Sequence, residues 1–298
     1  MNSPALYTTI YPEVKPFIAD WLESIYSQTF SSFTIWVGVD NLESECESIQ
    51  KYLKQDIRWV HSHQNETPAN LRRRALLRLA KEHDSVVLVD SDDKIDSDRF
   101  EAALDGLLGA DLVACSMRII DCNGNDSGCV YKVSEDSALE FPLLTHHFGF
   151  SNSAWRTKML KRCLEAPADV PALDWILLCR AWLNGASIVG DPTVRHSYRQ
   201  YGSNLARIMP PFDLESIRKA TEIVNTHLQN LTTNNYLLPS DLNKQLKFRH
   251  QQVIEFECAL NNPDSWFQQY SKLLSNLNKP LPWWLFVAHP ELEKIWKN

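Results

Sequence analysis

Apolar positions along the chain recur in two periods, and the switch between them marks out the elements. Leu6 to Ile10 is a short apolar-rich run that reads as a strand. Phe17-Ile18, Trp21-Leu22 and Ile25-Tyr26 then recur at helical spacing as far as Gln28. Phe33 to Val39 is a second apolar strand and ends at Asp40. A polar helix over about 43–54 and a strand over Ile57 to His61 follow. Pro68 suits the first position of a helix whose apolar stripe is Leu71, Ala75, Leu76, Leu79 and Ala80. Val86 to Val89 is a buried strand that ends in Asp90. Strand and helix in alternation predict a parallel sheet covered by helices, hence an α/β fold.

From residue 110 the pattern changes. Asp111 to Ile120 and Cys129 to Val133 predict a hairpin around Asn123-Gly124-Asn125. Arg156 to Leu164 and Leu173 to Asn184 are helical, and 187–189 and 194–198 are short strands. These elements suit one nucleotide-binding domain over 1–205. Beyond it, over 206–298, only helices are expected. Leu214, Ile217, Ala220, Ile223, Val224, Leu228 and Leu231 form one stripe. A second helix starts near Ser240-Asp241, and a third follows Pro263 with Trp266, Phe267, Tyr270, Leu273 and Leu274. Pro280 to Phe286 and a short helix with Trp296 close the chain.

Composition narrows the function. The chain has 298 residues, of which 44% are apolar and 22% charged, with a formal net charge of −7. Its 9 glycines are about half the ~7% average share, and all lie between Gly38 and Gly202. A Walker A loop is absent: Gly185 and Gly190 have the spacing, but Asp191-Pro192 follows in place of Lys-Ser/Thr. No GxGxxG occurs, so a bound nucleotide must be held mainly by side chains or a metal. The net acidity argues against nucleic acid as a partner, and Arg72-Arg73-Arg74 with Arg78 is the one dense basic patch. No apolar run approaches the length of a transmembrane helix, and Met1 to Pro4 has no signal-peptide character. The 7 scattered cysteines form no CxxC or zinc spacing, and the expectation is reduced thiols in the cytoplasm.

The strongest chemical signal is Val89-Asp90-Ser91-Asp92-Asp93. In open α/β sheets, ligands bind beyond the carboxyl ends of the strands. A strand running into three carboxylates can clamp a diphosphate through Mg²⁺ or Mn²⁺, hard cations that take oxygen ligands. The alternative is a set of acids before the next helix, capped by Asp96 or Ser97. Asp40 ends another strand; it is a candidate acceptor for a base N–H or ribose hydroxyl, or a turn residue. Arg72 and Arg73 can meet phosphate charge, or they belong to a solvated basic face. Asp174 beside Trp175 opens a helix. It is either a partly desolvated base or an ordinary helix N-terminal acid.

In order along the chain, these features resemble the family 2 glycosyltransferases, inverting enzymes of GT-A fold, over about residues 5–205. Ser24 to Phe30 is similar to the family's end-of-first-helix motif, and Val89 to Asp93 to its metal motif. Leu173-Asp174-Trp175 through Arg180 resembles its base-bearing helix, and Tyr198 to Asn204 its closing motif. The resemblance implies a nucleotide-diphosphate-sugar donor and a glycan, lipid or protein acceptor. It implies Asp174 as base and Asp92 on Mn²⁺ or Mg²⁺, with Asp90 on the metal or ribose and His196 a further candidate ligand. Asp40 falls to the nucleotide, with Tyr11, Arg73 and Asp90 as further donor contacts. A variable region over 120–155 is expected to select the acceptor; His146-His147 and Trp155 within it either line the acceptor pocket or are structural, and Trp175 is a further pocket candidate.

The chain also departs from that pattern. The first strand ends Thr9-Ile10-Tyr11-Pro12, and the second ends Asp40-Asn41-Leu42-Glu43, without the usual pair of aspartates. Leu173 stands where an acid often precedes the base, and Tyr201 where the closing motif often has a histidine. A degenerate, non-catalytic binding domain and a nucleotidyltransferase are the competing readings. Residues 11–37 hold no glycine for a triphosphate loop, which counts against the second. Trp283 to Phe286 is expected to pack, to form a homo-oligomer contact or to sit at a membrane surface.

Overall fold

The computed structural model describes residues 3–297 apart from 55, 135–141, 147, 167, 203, 205, 206, 235, 237, 278 and 279. Among these, nine strands form one sheet: β1 (Ala5–Ile10), β2 (Thr34–Val39), β3 (Ile57–His61), β4 (Ser85–Leu88), β5 (Lys94–Ile95), β6 (Leu112–Ile120), β7 (Asp126–Tyr131), β8 (Ser153–Arg156) and β9 (Ile188–Arg199). Their order is β3-β2-β1-β4-β8-β6-β9-β5, with β7 added to β6. β3, β2, β1 and β4 run parallel, β8 is antiparallel to both its neighbours, and β6 is parallel to β9. The helices are α1 (Ile18–Tyr26), α2 (Cys46–Leu53), α3 (Pro68–Leu79), α4 (Arg99–Gly106), α5 (Thr157–Leu164), α6 (Leu173–Leu183), α7 (Leu214–Thr233), α8 (Ser240–Leu260), α9 (Asp264–Asn276) and α10 (Glu293–Trp296).

Of the parallel strands, β1, β2 and β4 are buried on both faces, which is why they read as near-continuous apolar runs. Ile35, Val37 and Val39 of β2 join Trp21 and Ile25 of α1, Ile49 and Leu53 of α2 and Phe100 of α4 in one core. The alternate residues face the other way. Trp36 Nε1 donates to His83 Nε2 at 3.0 Å, and α3 packs on β1, β2 and β3. Gly38 is required on that face, because a Cβ there would come within 2.8 Å of Tyr7 Oη. Pro68 opens α3 as expected, and the preceding Thr67 caps it, Oγ1 accepting from Asn70 N at 3.3 Å.

Three local features differ from the sequence expectation. β5 and β8 were not expected: each is too short for a periodic pattern to emerge. The two strands expected over 187–198 are one strand, β9, with its register against β6 shifted between Cys115 and Met117. That irregularity accommodates Pro192, which has no N–H for a ladder bond. The hairpin partner of β6 lies at Asp126–Tyr131, earlier than expected, because Asp121 draws the turn tight by accepting from Asn123 N and Asn125 N at 2.8 and 2.9 Å.

The chain divides into two compact units. The first comprises 1–142, 147–169 and 173–199 and contains the whole sheet with α1 to α6. The second comprises 143–146, 170–172 and 200–298, including α7 to α10. In the second unit Tyr270 Oη donates to Phe286 O at 2.6 Å and accepts from His289 N at 2.9 Å. Trp283, Trp284 and Phe286 are buried. No helix among the described residues is long and apolar enough to cross a membrane.

Candidate active site

In the parallel half of the sheet, Ile10 lies beside Val39 and Tyr7 beside Leu88. The residues that follow these strands, Tyr11, Asp40 and Asp90, therefore emerge on one edge. It is the edge at which open α/β sheets bind ligands.

The Asp90 to Asp93 segment is a turn held from every side. Asp93 N donates to Asp90 O at 3.2 Å, and Ser91 Oγ donates to Thr9 O at 2.6 Å, fastening the turn to β1. Asp93 is buried, and Arg199 N donates to its Oδ1 at 2.8 Å. Ser151 Oγ at 2.5 Å and His196 Nε2 at 2.9 Å meet its Oδ2. Ser151 Oγ also accepts from Asp90 N at 3.1 Å. Arg199 Nε donates to Asp92 O at 2.7 Å, and its Nη2 to Asp20 Oδ2 at 2.6 Å. The acids do not cap α4. Asp96 instead forms a two-pronged ion pair with Arg118, both bonds at 2.7 Å.

Asp174, in the first turn of α6, is fixed by two main-chain donors. Trp175 N reaches Oδ1 at 2.9 Å, and Phe150 N reaches Oδ2 at 3.2 Å. The Phe150 ring lies 5.0 Å from the Arg72 guanidinium, a cation–π distance. Arg72 Nη2 donates to Asp90 Oδ1 at 3.3 Å, and Nε to Thr9 Oγ1 at 3.4 Å. Residues 149–152 thus link Asp174, Arg72, Asp90 and Asp93. Sequence reasoning missed this loop and assigned it to a variable acceptor region. The detectable signal is Ser151-Asn152, two polar residues entering an apolar strand; both prove to be buried.

The electrostatics follow from crowding. Burial and the carboxylates of Asp92, Asp93 and Asp174 push Asp90 up to about 7, against the pull of Arg72. Burial likewise raises Asp93 to about 7 and lowers His196 to about 3, so His196 is uncharged. Arg72 is held in its charged form by Asp90, Tyr7, Tyr11 and Asp174, against desolvation. Asp40 is raised by burial, with a hydrogen bond to Ser62 opposing.

The structure brings Tyr11, Arg72, Asp90, Asp92 and Asp174 into one electrostatic cluster, which also reaches His196 through Asp90. Arg73 makes other contacts. One residue on from Arg72, it points about 100° round the helix. There it donates to Leu164 O and Glu165 O at 2.9 and 3.1 Å. His196, the further metal candidate, is buried, with Nε2 2.9 Å from Asp93 Oδ2 and 3.0 Å from Ser151 Oγ. Trp155, an acceptor-pocket candidate, lies buried in β8 between Val86 and Leu112, with Nε1 donating to Ser153 Oγ. Trp175 is also buried, its indole donating to Pro142 O at 2.7 Å. His147 and Ser203 lie outside the described residues.

Among the described residues, no group of three or more His, Cys, Asp or Glu side chains is arranged to hold a metal ion. Asp90 and Asp92 nevertheless fit a hard divalent cation. They are two carboxylates on one turn, in a cluster with Asp93 and Asp174, and the negative charge of Asp92 helps raise Asp90 against the pull of Arg72. Mg²⁺ usually takes one or two protein carboxylates and fills its shell with water and substrate phosphates.

The profile described as glycosyl transferase family 2 matches residues 6–164, just over half of the chain. Asp174 and the closing motif lie beyond that span. A comparison with curated proteins gave no match. Among solved structures, the chain resembles S. aureus TarS 1–349 in complex with UDP-GlcNAc, with TM-score 0.57, 18% identity and coverage of 99% of this chain and 91% of that one. It also resembles the mannosyltransferase PcManGT from Pyrobaculum calidifontis in complex with GDP-Man and Mn²⁺, with TM-score 0.62 and 14% identity, covering 99% and 86%. At these identities the likeness is one of fold.

Proposed function

The chain belongs to glycosyl transferase family 2, and from that premise we propose that it moves a sugar from a nucleoside-diphosphate donor to an acceptor hydroxyl, inverting the anomeric carbon. The observation that carries this reading is the single loop, 149–152, that orients both Asp174 and the Asp90–Asp93 turn. A base and a diphosphate clamp need a fixed relation, because misplacement by about 1 Å can cost ~100-fold in rate.

Asp174 accepts the proton of the acceptor hydroxyl. The acceptor oxygen bonds to the anomeric carbon as the bond from that carbon to the diphosphate oxygen breaks, and the electron pair leaves with the diphosphate. Only one base is needed. The two main-chain donors on Asp174 hold its carboxylate in one orientation. Arg72 presents its guanidinium to the phosphates, with Phe150 and Asp90 fixing its plane. A divalent cation on Asp92 and Asp90, Mn²⁺ or Mg²⁺, supplies charge compensation for the leaving diphosphate. Asp40 and Tyr11 border the nucleotide end. Residues 1–205 form the catalytic domain and 206–298 a helical appendage.

The test is nucleoside diphosphate release from UDP- and GDP-sugars with Mn²⁺ or Mg²⁺. Asp174→Asn should lower kcat by about 10²–10⁴ while donor-induced thermal shifts stay as in wild type. Wild-type turnover by Asp174→Asn would remove the base assignment. Absence of metal-dependent release from every donor would leave a binding domain.

A further inference from the structure

The arginine run that opens α3 is only partly explained by the donor site. Arg72 turns to Asp90; its neighbours do not. Asn70, Arg73, Arg74, Leu77 and Arg78 of α3, each three or four residues from another of the set, share one stripe, and Lys81 follows just past the helix end. With His63 and Glu66 from the loop after β3, this stripe lines a groove of about 520 Å³. Four cationic side chains face a single carboxylate there, on a chain of net charge −7. Arg74 is paired with Glu66 at 2.5 Å. The Arg73 guanidinium meets only the carbonyls of Leu164 and Glu165, so no carboxylate offsets its charge. Arg78 and Lys81 are exposed, and neither side chain has a hydrogen bond or ion pair among the described residues.

We propose that this groove binds a linear phosphate-bearing chain at a site separate from the donor's. Residues three and four apart on a helix have Cβ atoms about 5–6 Å from one another, so their side chains are neighbours. A run of phosphates engages several of them together, where one phosphate engages one or two. Arg74 is engaged by Glu66 and the His61 carbonyl, so Arg73, Arg78 and Lys81, which no carboxylate pairs among the described residues, supply the charge that phosphate oxygens meet. Two other polyanionic partners fit less well. A bilayer calls for an apolar anchor beside the cations, and Leu77 is the one apolar side chain lining the groove. A single-stranded nucleic acid calls for aromatic stacking platforms, and the groove offers no Phe, Tyr or Trp among its lining residues, only the imidazole of His63.

The experiment measures binding of short-chain linear polyphosphate to the full chain by calorimetry over a series of salt concentrations. It needs no turnover, so it stands or falls independently of the glycosyl-transfer reading. Wild type should bind, with affinity falling as salt rises. Arg78→Ala with Lys81→Ala should weaken binding by about tenfold and reduce the salt slope by about 1–2, as ~0.7–0.9 is expected per phosphate contact. Arg78→Glu with Lys81→Glu should abolish it. Both positions are exposed and unpaired, so melting temperature and donor-induced thermal shift should not change. Equal binding by wild type and the double variants would overturn the proposal. So would tighter binding of oligothymidylate, or of vesicles of phosphatidylcholine with phosphatidylglycerol, than of polyphosphate.

Discussion

The ends of β2 and β4 present the same sequence signal, an apolar strand running into aspartate, and the structure treats them differently. At the end of β2, Asp40 has short-range company: Asn41 Nδ2 donates to its Oδ1 at 2.9 Å, and Ser62 approaches from the turn after β3. At the end of β4, Asp90 and Asp92 sit on a turn fixed by β1, by the 149–152 loop and by Arg199 of β9. Each of those partners comes from a distant part of the chain. The difference teaches that a strand-terminal carboxylate gains its chemistry from what converges on it. One end is a partly buried acceptor bonded to Asn41, with Glu13, Glu43 and Glu66 adding to its upward shift. The other is a crowd of carboxylates that repel one another until something cationic arrives.

The sharpest way to break this contrast is to remove one carboxylate from each end. Asp92→Ala should cost several kcal/mol of transition-state stabilisation, about a thousandfold in kcat/KM for donor turnover. It should also erase the Mn²⁺-dependent part of the thermal shift. Because the side chains of Asp93 and Ser151 still lock the turn, the apo melting temperature should move little. If Asp92→Ala and Asp40→Ala fall equally in kcat/KM, the two ends do not differ in kind and the clamp assignment is wrong.

The β4 end was legible because its signal is local. Val86 to Val89 is a buried strand whatever surrounds it, and Asp90 to Asp93 must follow at its carboxyl end. The props were not legible, because each is a long-range hydrogen bond: Ser151 lies 58 residues from Asp93, and His196 lies 103 away. His196 is a candidate ligand because it could stand in for the closing-motif histidine that Tyr201 replaces; that the structure buries it against Asp93 is a long-range fact. Likewise the inward orientation of Trp155 and Trp175 depends on how their strand and helix pack. The arginines show the same limit most clearly. A run of three adjacent arginines sweeps more than half a turn. The sequence shows that some of them face the site without showing which.

That ambiguity gives the second test. Arg72→Ala removes the cation facing Asp90 and should lower kcat/KM by about 10–150-fold, the range of roughly 1.5–3 kcal/mol for a charged hydrogen bond. Arg73→Ala removes two bonds to the carbonyls at the end of α5. It should cost about 1–2 kcal/mol of stability, with donor turnover near wild type. The two variants therefore separate activity from stability between adjacent residues. A loss of turnover in Arg73→Ala matching that in Arg72→Ala would mean that the helix presents its arginines differently when donor is bound.

The smallest expected effect belongs to Asp40, and it tests the quiet half of the comparison. If Asp40 accepts a single hydrogen bond from the nucleotide, Asp40→Asn keeps the shape and one acceptor oxygen while removing the charge. The donor's KM should rise by no more than about tenfold, since a neutral bond replaces a charge-assisted one at a cost of ~1 kcal/mol. kcat should not change, because the nucleotide end takes no part in bond breaking. Asp40→Ala removes the acceptor altogether, so its KM should exceed that of Asp40→Asn. The ratio of KM values for donors with different bases should also shift, because only a residue touching the base discriminates between bases. A fall in kcat with KM unchanged would contradict this. It would place Asp40 in the reacting half of the site, on a par with the β4 end.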